Sequence, residues 1–374
     1  MIRVLQVVNN MHRAGLETML MNYYRHMDKE KIQFDFLTHR PDRDDYDDEI
    51  ESMGGKVYYA PRLYPQNYPA YFKYMENFFK EHPEYKIMHS HIDAMSYLPL
   101  KAAKKAGVPV RIAHSHNTSI DKDFKLPLKL YYKSRITAVS NFYCACGEEA
   151  GKFLFPGKEY TVIPNAIETD KFRYDGTIRE KKRKELGISD ELVFGHVGRI
   201  SYQKNHKFLV QIFNEILKKN KNALLLLIGV GEKEEEVKEQ IEKLGIANKV
   251  RFLGNRSDVY ELYQAMDAFL LPSFFEGIPV VGVEAQYAGL PCFFSDKVPK
   301  EVKFTECSYF ISLNENEEKW AEKILDLIPN GTRKLEEEYV RNSIYNIDKS
   351  YVELERMYLG LSHELLGWNN EDKE

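Results

Sequence analysis

Two glutamates eight residues apart, Glu276 and Glu284, are the residue types and spacing in this sequence that most clearly suggest chemistry. In residues 271–291 a hydrophobic strand leads into a loop with Glu276 and Gly277, and a helix is predicted from Pro279. Proline suits the first helical position, and the free amides and positive end of a helix favour a bound anion. Glycine lets the backbone approach a ligand closely. Two carboxylates would bracket one anion site and accept hydrogen bonds from ligand hydroxyls.

A simpler interpretation makes Glu276 a loop-surface residue and Glu284 a solvated helix charge. The neighbours of Glu284 are apolar: Val280, Val281, Val283, Ala285 and Ala288. An unpaired carboxylate is costly in such surroundings, which favours a functional role.

A cationic pair, Arg199 and Lys204, follows the predicted strand 192–197. Arginine offers a bidentate fork and lysine a point charge, a suitable combination for a diphosphate. The alternative is a pair of surface cations. Ligands of open parallel sheets bind at the carboxyl ends of the strands, which favours the diphosphate.

Further polar residues follow strands in the first half of the chain. Gly15 comes soon after the first strand and could open a helix beneath a phosphate. Two histidine pairs, His89 with His91 and His114 with His116, each end a strand. They suit hydrogen bonding to a sugar as well as metal binding, and we expect no metal.

Short β-rich runs alternate with amphipathic stretches, which predicts parallel sheets flanked by helices. Strands are predicted at 2–8, 33–37, 56–59, 86–90, 109–114, 142–146 and 160–163, and again at 192–197, 223–228, 249–253, 267–271, 291–295 and 308–311. The charged stretch 175–191 is interpreted as a linker between the two series. The expected domains are residues 1–180 and 181–347, with a final helix in 348–374 that packs back on the first domain.

Composition limits the class of protein. The chain has 374 residues, 43% hydrophobic and 29% charged, which is typical of a soluble globular protein of two domains. A net charge of −4 does not suggest a nucleic-acid partner. Cys144 and Cys146 are predicted to face one buried side of a strand, since no second pair completes a zinc set. The start of the chain lacks the features of a signal peptide, so a cytosolic location is expected.

Basic residues are concentrated between residues 101 and 135, where only Asp121 and Asp123 oppose them. Within the segment 122–135, lysines alternate with aromatic and aliphatic residues. Such a segment could rest on an anionic membrane surface, or be an ordinary helix with a solvated basic face.

The chain resembles the family 4 retaining glycosyltransferases of the GT-B fold, and within them the EpsF-like branch of bacterial exopolysaccharide and capsule enzymes. That family carries two glutamates at this spacing, an Arg/Lys phosphate pair and an N-terminal glycine loop. The closer likeness rests on Ala14-Gly15-Leu16-Glu17-Thr18, Met21 to Arg25, Gln33 to Phe36, Ala113 to Asn117, Glu148 to Gly151 and Phe153 to Phe155. Two departures are Ala14-Gly15 in place of Gly-Gly and Asn165-Ala166 in place of Asn-Gly.

The resemblance implies two α/β, Rossmann-like, doubly wound domains facing a central cleft. It implies that Arg199 and Lys204 neutralise the leaving diphosphate. Glu276, with the amides of Gly277-Ile278-Pro279, would hold the donor sugar, and Glu284 would accept the ribose hydroxyls.

The remaining implied roles concern the nucleobase and the other domain. Asn255 and Arg256 would lie around the base, His116 would contact the donor sugar from the N-terminal domain, and Gly15 would lie beneath the phosphates.

The implied reaction transfers a sugar, with retention, from a nucleotide-sugar donor to a saccharide acceptor. A UDP-sugar and a lipid-linked acceptor are the expected substrates, and no cofactor is expected. Two other functions stay open: a GT-B sugar-nucleotide epimerase and a non-catalytic nucleotide-sugar-binding protein. Contact with the inner face of the cell membrane would fit a lipid-linked acceptor.

Overall fold

The structure, a computed structural model, describes residues 1–120, 125–328, 333 and 343–366. The chain divides into two compact units, an N-terminal unit of Met1–Ala166 with Ile347–Glu374, and a C-terminal unit of Ile167–Asn346. The chain first passes from one unit to the other after Ala166, which is earlier than the predicted boundary at residue 180.

The N-terminal unit is built on a seven-stranded parallel sheet. Its strands are β1 (Ile2–Val7), β2 (Ile32–Thr38), β3 (Val57–Tyr59), β4 (Ile87–Ser90), β5 (Val110–Ser115), β6 (Phe142–Ala145) and β7 (Thr161–Val162). Their order across the sheet is β3-β2-β1-β4-β5-β6-β7. The helices that follow these strands are α1 (Gly15–His26), α2 (Asp47–Ser52), α3 (Tyr68–Glu81), α4 (Tyr97–Lys105), α5 (Leu126–Arg135) and α6 (Glu148–Leu154). Short 3₁₀ turns lie at Pro65–Asn67, Asp93–Ser96 and Ile136–Ala138.

The C-terminal unit repeats the same plan with six parallel strands. They are β8 (Leu192–Val197), β9 (Ala223–Ile228), β10 (Val250–Gly254), β11 (Ala268–Leu271), β12 (Cys292–Ser295) and β13 (Ser308–Ile311), in the order β10-β9-β8-β11-β12-β13. Its helices are α7 (Thr169–Phe172), α8 (Gly176–Glu185), α9 (His206–Lys219), α10 (Glu234–Lys243), α11 (Val259–Ala265), α12 (Val280–Tyr287) and α13 (Glu317–Leu327), with 3₁₀ turns at Ala247–Lys249 and Lys300–Val302. In each unit the order reverses between the first and fourth strands, which confirms two doubly wound α/β domains.

The stretch 175–191 was predicted to be a linker, and this prediction is wrong: most of it forms the helix α8. Asp175 caps it, because its side chain accepts hydrogen bonds from the amides of Thr177 and Ile178. The charges that suggested a solvated linker are paired instead: Lys182 bonds Asp258 at 2.8 Å, and Arg183 bonds Asp267 at 3.3 Å. A charged sequence therefore folds here because acids on other elements neutralise it.

A last helix, α14 (Ile347–Leu366), belongs to the N-terminal unit. Leu354, Tyr358 and Leu361 are buried in the same apolar cluster as residues of β1, β2 and α1. The hydroxyl of Tyr358 also accepts a hydrogen bond from Nε2 of Gln6 at 3.1 Å. The final helix is thus part of the core of the first domain.

Cys144 and Cys146 are both buried at the end of β6, and neither is in a disulfide. Among the described helices, none combines the length and the apolar character that crossing a bilayer requires.

Candidate functional site

The loop between β11 and α12 carries the motif that the sequence singled out. Gly277, Ile278 and Pro279 are all buried, and Pro279 caps α12 in an extended conformation. The first amides of a helix have no partner within the helix, and its dipole makes this end positive. A negatively charged group is therefore favoured beside the loop.

Glu276 and Lys204, predicted to bind sugar and phosphate respectively, are brought together. Nζ of Lys204 lies 2.7 Å from Oε1 of Glu276, and the two side chains are only 15% and 6% exposed. Gln203 donates from Nε2 to the carbonyl of Phe275 at 3.0 Å and to Oε2 of Glu276 at 3.2 Å. The carboxylate is held in one orientation before any ligand arrives, which lowers the entropic cost of binding.

Two loops are fastened together around this pair. Asn205, in a left-handed conformation with φ 56°, donates from Nδ2 to the carbonyl of Pro272 at 3.1 Å. The amide of Phe274 donates to the carbonyl of Gln203 at 2.8 Å, and the ring of Phe274 stacks on Tyr202 at 4.8 Å. Asparagine tolerates the left-handed region better than most residues, which explains its place before α9.

Arg199 lies at the end of β8, exposed, and has no ion pair in the part of the chain that the structure describes. The backbone before it is packed tightly against the next loop: a Cβ on Gly229 would lie 2.2 Å from the carbonyl oxygen of Gly198. A Cβ on Gly198 would lie 3.1 Å from Cε of Lys204. Gly198 leaves room for the lysine stem, and Arg199 is exposed, where it can meet an anion.

Glu284 is the fifth residue of α12 and is 8% exposed. Its Oε2 accepts a hydrogen bond from the hydroxyl of Tyr263 at 2.9 Å, and no cation pairs with it among the described residues. Burial raises the pKa of Glu284 to about 7, although the bond from Tyr263 acts in the opposite direction. Such a carboxylate keeps acceptor capacity for ligand hydroxyls, so the surface-charge interpretation of Glu284 is wrong.

Asn255 and Arg256 lie in the loop after β10, where Asn255 is exposed. The guanidinium of Arg256 makes two hydrogen bonds of 2.7 Å to the carboxylate of Asp258 and lies 3.7 Å from the carboxylate of Glu185. Arg256 and Lys182 hold the pKa of Asp258 far below its usual range. Arg256 is therefore committed to an ion-pair network, and any contact with a base would come from the loop around it.

In the N-terminal unit, Gly15 is the first residue of α1 and is exposed, with Ala14 as its N-cap. Among the predicted residues of this unit, it is the one at a helix start. The geometry agrees with an anion at that end, but the cap supplies no side-chain hydrogen bond.

The four predicted histidines of the N-terminal unit form one cluster at the carboxyl ends of β4 and β5, which we call the histidine cluster (His89, His91, His114 and His116). Nε2 of His89 lies 3.1 Å from Nδ1 of His114, and Nδ1 of His91 lies 3.0 Å from Nε2 of His116. Burial lowers the pKa of all four rings, that of His116 to about 3. The rings are neutral at physiological pH.

His89, His91 and His114 offer nitrogen atoms within 4.8 Å of one another, a set that could hold a metal ion. Five of their six ring nitrogens already have hydrogen-bond partners, which leaves Nε2 of His114. A metal would have to displace these bonds, so the arrangement favours a hydrogen-bonded network.

Sequence reasoning missed the residues that orient the site. Tyr358 and Gln6, which bond to the histidine cluster, are distant from it in sequence, and Tyr263 lies 21 residues before Glu284. The sequence carries no local signal for these contacts.

Two doubly wound units, one with a carboxylate and cations at its strand ends, define the GT-B class of glycosyltransferases. Two family models match: Glycosyltransferase Family 4 over residues 13–171 and Glycosyl transferases group 1 over residues 178–345. EpsF of Bacillus subtilis (strain 168), which carries the name of a glycosyltransferase, is 38% identical over 345 residues, 89% of this chain and 90% of EpsF. The chain belongs to this glycosyltransferase family.

Two further relatives are similar to the chain. The capsular polysaccharide biosynthesis glycosyltransferase CapH of Staphylococcus aureus is 26% identical, over 96% of this chain and 99% of CapH. The UDP-Gal:alpha-D-GlcNAc-diphosphoundecaprenol alpha-1,3-galactosyltransferase of Escherichia coli is 28% identical, over 57% of this chain and 58% of that enzyme.

The crystal structure of Anabaena Alr3699/HepE in complex with UDP-glucose has the same fold. It superposes with a TM-score of 0.75 and 17% identity, covering 98% of this chain and all (100%) of that one.

Proposed function

We propose that this chain transfers a hexose, with retention, from a UDP-sugar to a lipid-linked saccharide during exopolysaccharide or capsule synthesis. The observation that carries the proposal is the Lys204–Glu276 pair, held at 2.7 Å beside the buried start of α12. It combines a carboxylate for sugar hydroxyls, a cation for a diphosphate and a helix end that favours anions.

The comparisons support the substrate classes. HepE has been crystallised with UDP-glucose, and the Escherichia coli relative is named for a UDP-galactose donor and a diphosphoundecaprenol-linked acceptor. CapH is named for capsular polysaccharide biosynthesis.

In the proposed reaction, the acceptor hydroxyl oxygen forms a bond to the anomeric carbon while the bond from that carbon to the diphosphate oxygen breaks. The hydroxyl proton passes to the departing phosphate oxygen on the same face, which gives retention. Lys204, Arg199 and the start of α12 stabilise the negative charge that develops on the diphosphate. His116 contacts the donor sugar, and no metal is needed.

Glu284 is proposed to accept the ribose hydroxyls. Among the described residues its carboxylate accepts a hydrogen bond from Tyr263, and burial, which disfavours the charged form, raises its pKa. Ribose hydroxyls would supply further donors, since hydrogen bonds to a carboxylate favour its ionised state.

The experiment is transfer from radiolabelled UDP-sugars to a membrane lipid extract, with the anomeric configuration of the product determined by NMR. A product of retained configuration supports the proposal. Inversion, or interconversion of nucleotide sugars without transfer, would contradict it. Binding of the nucleotide sugar without any turnover would favour a non-catalytic binding protein.

We also propose that helix α5 rests on an anionic membrane surface. Leu130 and Tyr131 are each 50% exposed, and the helix ends in the exposed Arg135. Exposed apolar residues beside cations are typical of membrane-surface helices. Residues 122–124 of the predicted segment lie outside the described residues.

A further inference from the structure

The histidine cluster is tied to two residues that sequence analysis did not find, Gln6 in β1 and Tyr358 in α14. Oε1 of Gln6 lies 2.8 Å from Nε2 of His91, and its Nε2 lies 3.1 Å from the hydroxyl of Tyr358. That hydroxyl also lies 2.6 Å from Nδ1 of His89. Gln6 and Tyr358 are themselves fully buried, so these bonds have no competition from solvent.

With the Gln6 amide oriented as in the structure, one branch of this network fixes where the proton of His116 lies. A neutral imidazole has one N–H donor and one acceptor nitrogen. The amide oxygen of Gln6 can only accept, so Nε2 of His91 carries the proton and Nδ1 of His91 accepts. The 3.0 Å contact then requires that Nε2–H of His116 donates to His91.

The other branch is consistent with the same orientation of Gln6. Its amide nitrogen donates to Tyr358, whose hydroxyl donates to Nδ1 of His89. Nε2–H of His89 then donates to Nδ1 of His114 at 3.1 Å. Turning the Gln6 amide around would reverse every proton in both branches, so the amide and the rings change together.

We propose that Gln6 and Tyr358 are positioning residues that lock His116 in the Nε2–H tautomer and leave the lone pair of its Nδ1 as an acceptor. No described residue hydrogen-bonds to that nitrogen. A ring locked in this way accepts a hydrogen bond from a hydroxyl and cannot donate one there. This last step rests on the proposed function, in which the hydroxyl belongs to the donor sugar.

The control for Tyr358 is Tyr23, an equally buried tyrosine of the same core. Its hydroxyl donates to the carbonyl of Pro164 at 2.8 Å, outside the histidine network. Tyr358→Phe and Tyr23→Phe each remove one buried hydroxyl, so a general loss of stability should affect both. Only Tyr358→Phe releases the amide of Gln6, because only it removes the acceptor of the amide nitrogen.

The first measurement is ¹⁵N NMR of histidine-labelled protein, in which protonated and unprotonated ring nitrogens have different shifts. We expect His91 and His116 to be Nε2–H tautomers, and Tyr358→Phe but not Tyr23→Phe to move the His116 signals toward a mixture. An Nδ1–H tautomer of His116 in the unaltered protein, or the same spectrum in Tyr358→Phe, would overturn the proposal. This measurement needs no substrate.

The second measurement is transfer kinetics. Tyr358→Phe should lower kcat roughly fivefold, the size of one neutral hydrogen bond, with UDP affinity unchanged. Unchanged kcat together with the expected NMR result would overturn the role of His116 as a sugar contact, while the proposed tautomers of the histidine cluster would stand.

Discussion

Lys204 and Glu276 form a largely buried ion pair at 2.7 Å, although one is proposed to bind phosphate and the other sugar. A ligand that engages both must therefore share or break this pair. Each side chain neutralises the other while the site is empty, which avoids the cost of an isolated buried charge.

Because Lys204 is in this ion pair and Arg199 is exposed, substitutions of the two residues should differ in their effect on stability. Arg199→Ala should slow transfer by roughly 100-fold, the range for removing one charge-stabilising donor, without loss of stability, because Arg199 is exposed. Lys204→Ala should slow transfer as much and also destabilise the protein, since it leaves Glu276 without its cation. Lys207→Ala, which removes an exposed lysine paired with Glu236, is the matched control. Full turnover in both Arg199→Ala and Lys204→Ala would show that the diphosphate binds elsewhere.

The two glutamates should respond differently to amide substitution. Glu284→Gln should weaken the affinity for UDP and for the UDP-sugar alike, because ribose is common to both. Glu276→Gln should leave UDP affinity nearly unchanged and lower kcat, because its contact strengthens as the sugar gains positive charge. Calorimetry with UDP and transfer kinetics measure the two effects. Equal losses of UDP affinity would mean that the roles are assigned incorrectly.

Glu284 should also make stability depend on pH. Its pKa is raised from the ordinary 4.5 to about 7, so the folded protein binds this proton more tightly than the unfolded chain does. The stabilisation is complete below about pH 4.5 and is lost as the pH rises through about 7. As the pH rises from 5 to 8, the free energy of unfolding of Glu284→Gln should therefore increase relative to that of the wild type, by up to about 3 kcal/mol. Urea titrations at the two pH values measure the difference, and a pH-independent difference would contradict the burial argument.

Transfer should survive chelation. The cations proposed to stabilise the diphosphate are protein side chains, and most nitrogens of the histidine cluster are engaged in hydrogen bonds. Activity after EDTA treatment and desalting, with the metal content measured in parallel, tests this. Complete loss that added metal restores would make the histidine cluster, or a bound donor, a metal site.

Binding to anionic vesicles should depend on the exposed face of α5. Replacing Leu130 and Tyr131 together by Asp should release the protein from phosphatidylglycerol vesicles in sedimentation, with donor hydrolysis intact. Val352→Asp, an exposed apolar residue on another helix, is the control. Replacing the lysines by glutamate would be harder to interpret. Nζ of Lys133 lies 3.6 Å from the ring centroid of Phe153, and the substitution would also remove that contact. No binding by the parent protein would identify α5 as an ordinary solvated helix.

Much of the fold could be predicted from the sequence, because hydrophobic strands followed by short polar loops repeat in both halves of the chain. The strand ends also gave the approximate place of Glu276, Lys204 and Arg199. The charge of residues 175–191 was misleading, since composition alone does not reveal that Asp258 and Asp267 neutralise the helix formed there.

The second partners of the functional residues could not be predicted. Arg256 is charged in any sequence-based interpretation, but its bidentate contact with Asp258 depends on the turn before α11. Tyr358 lies 269 residues after His89, and only the folded chain brings them to 2.6 Å. The contact between Tyr358 and His89 depends on tertiary packing, which periodicity and residue type do not reveal.

The position of α14 has a consequence for biosynthesis. The N-terminal unit is translated first, yet its apolar cluster includes Ile347, Leu354 and Tyr358. On the ribosome, the unit made second can close its sheet before α14 emerges to complete the apolar cluster of the unit made first. A nascent chain halted before residue 347 therefore lacks part of the core of its first domain.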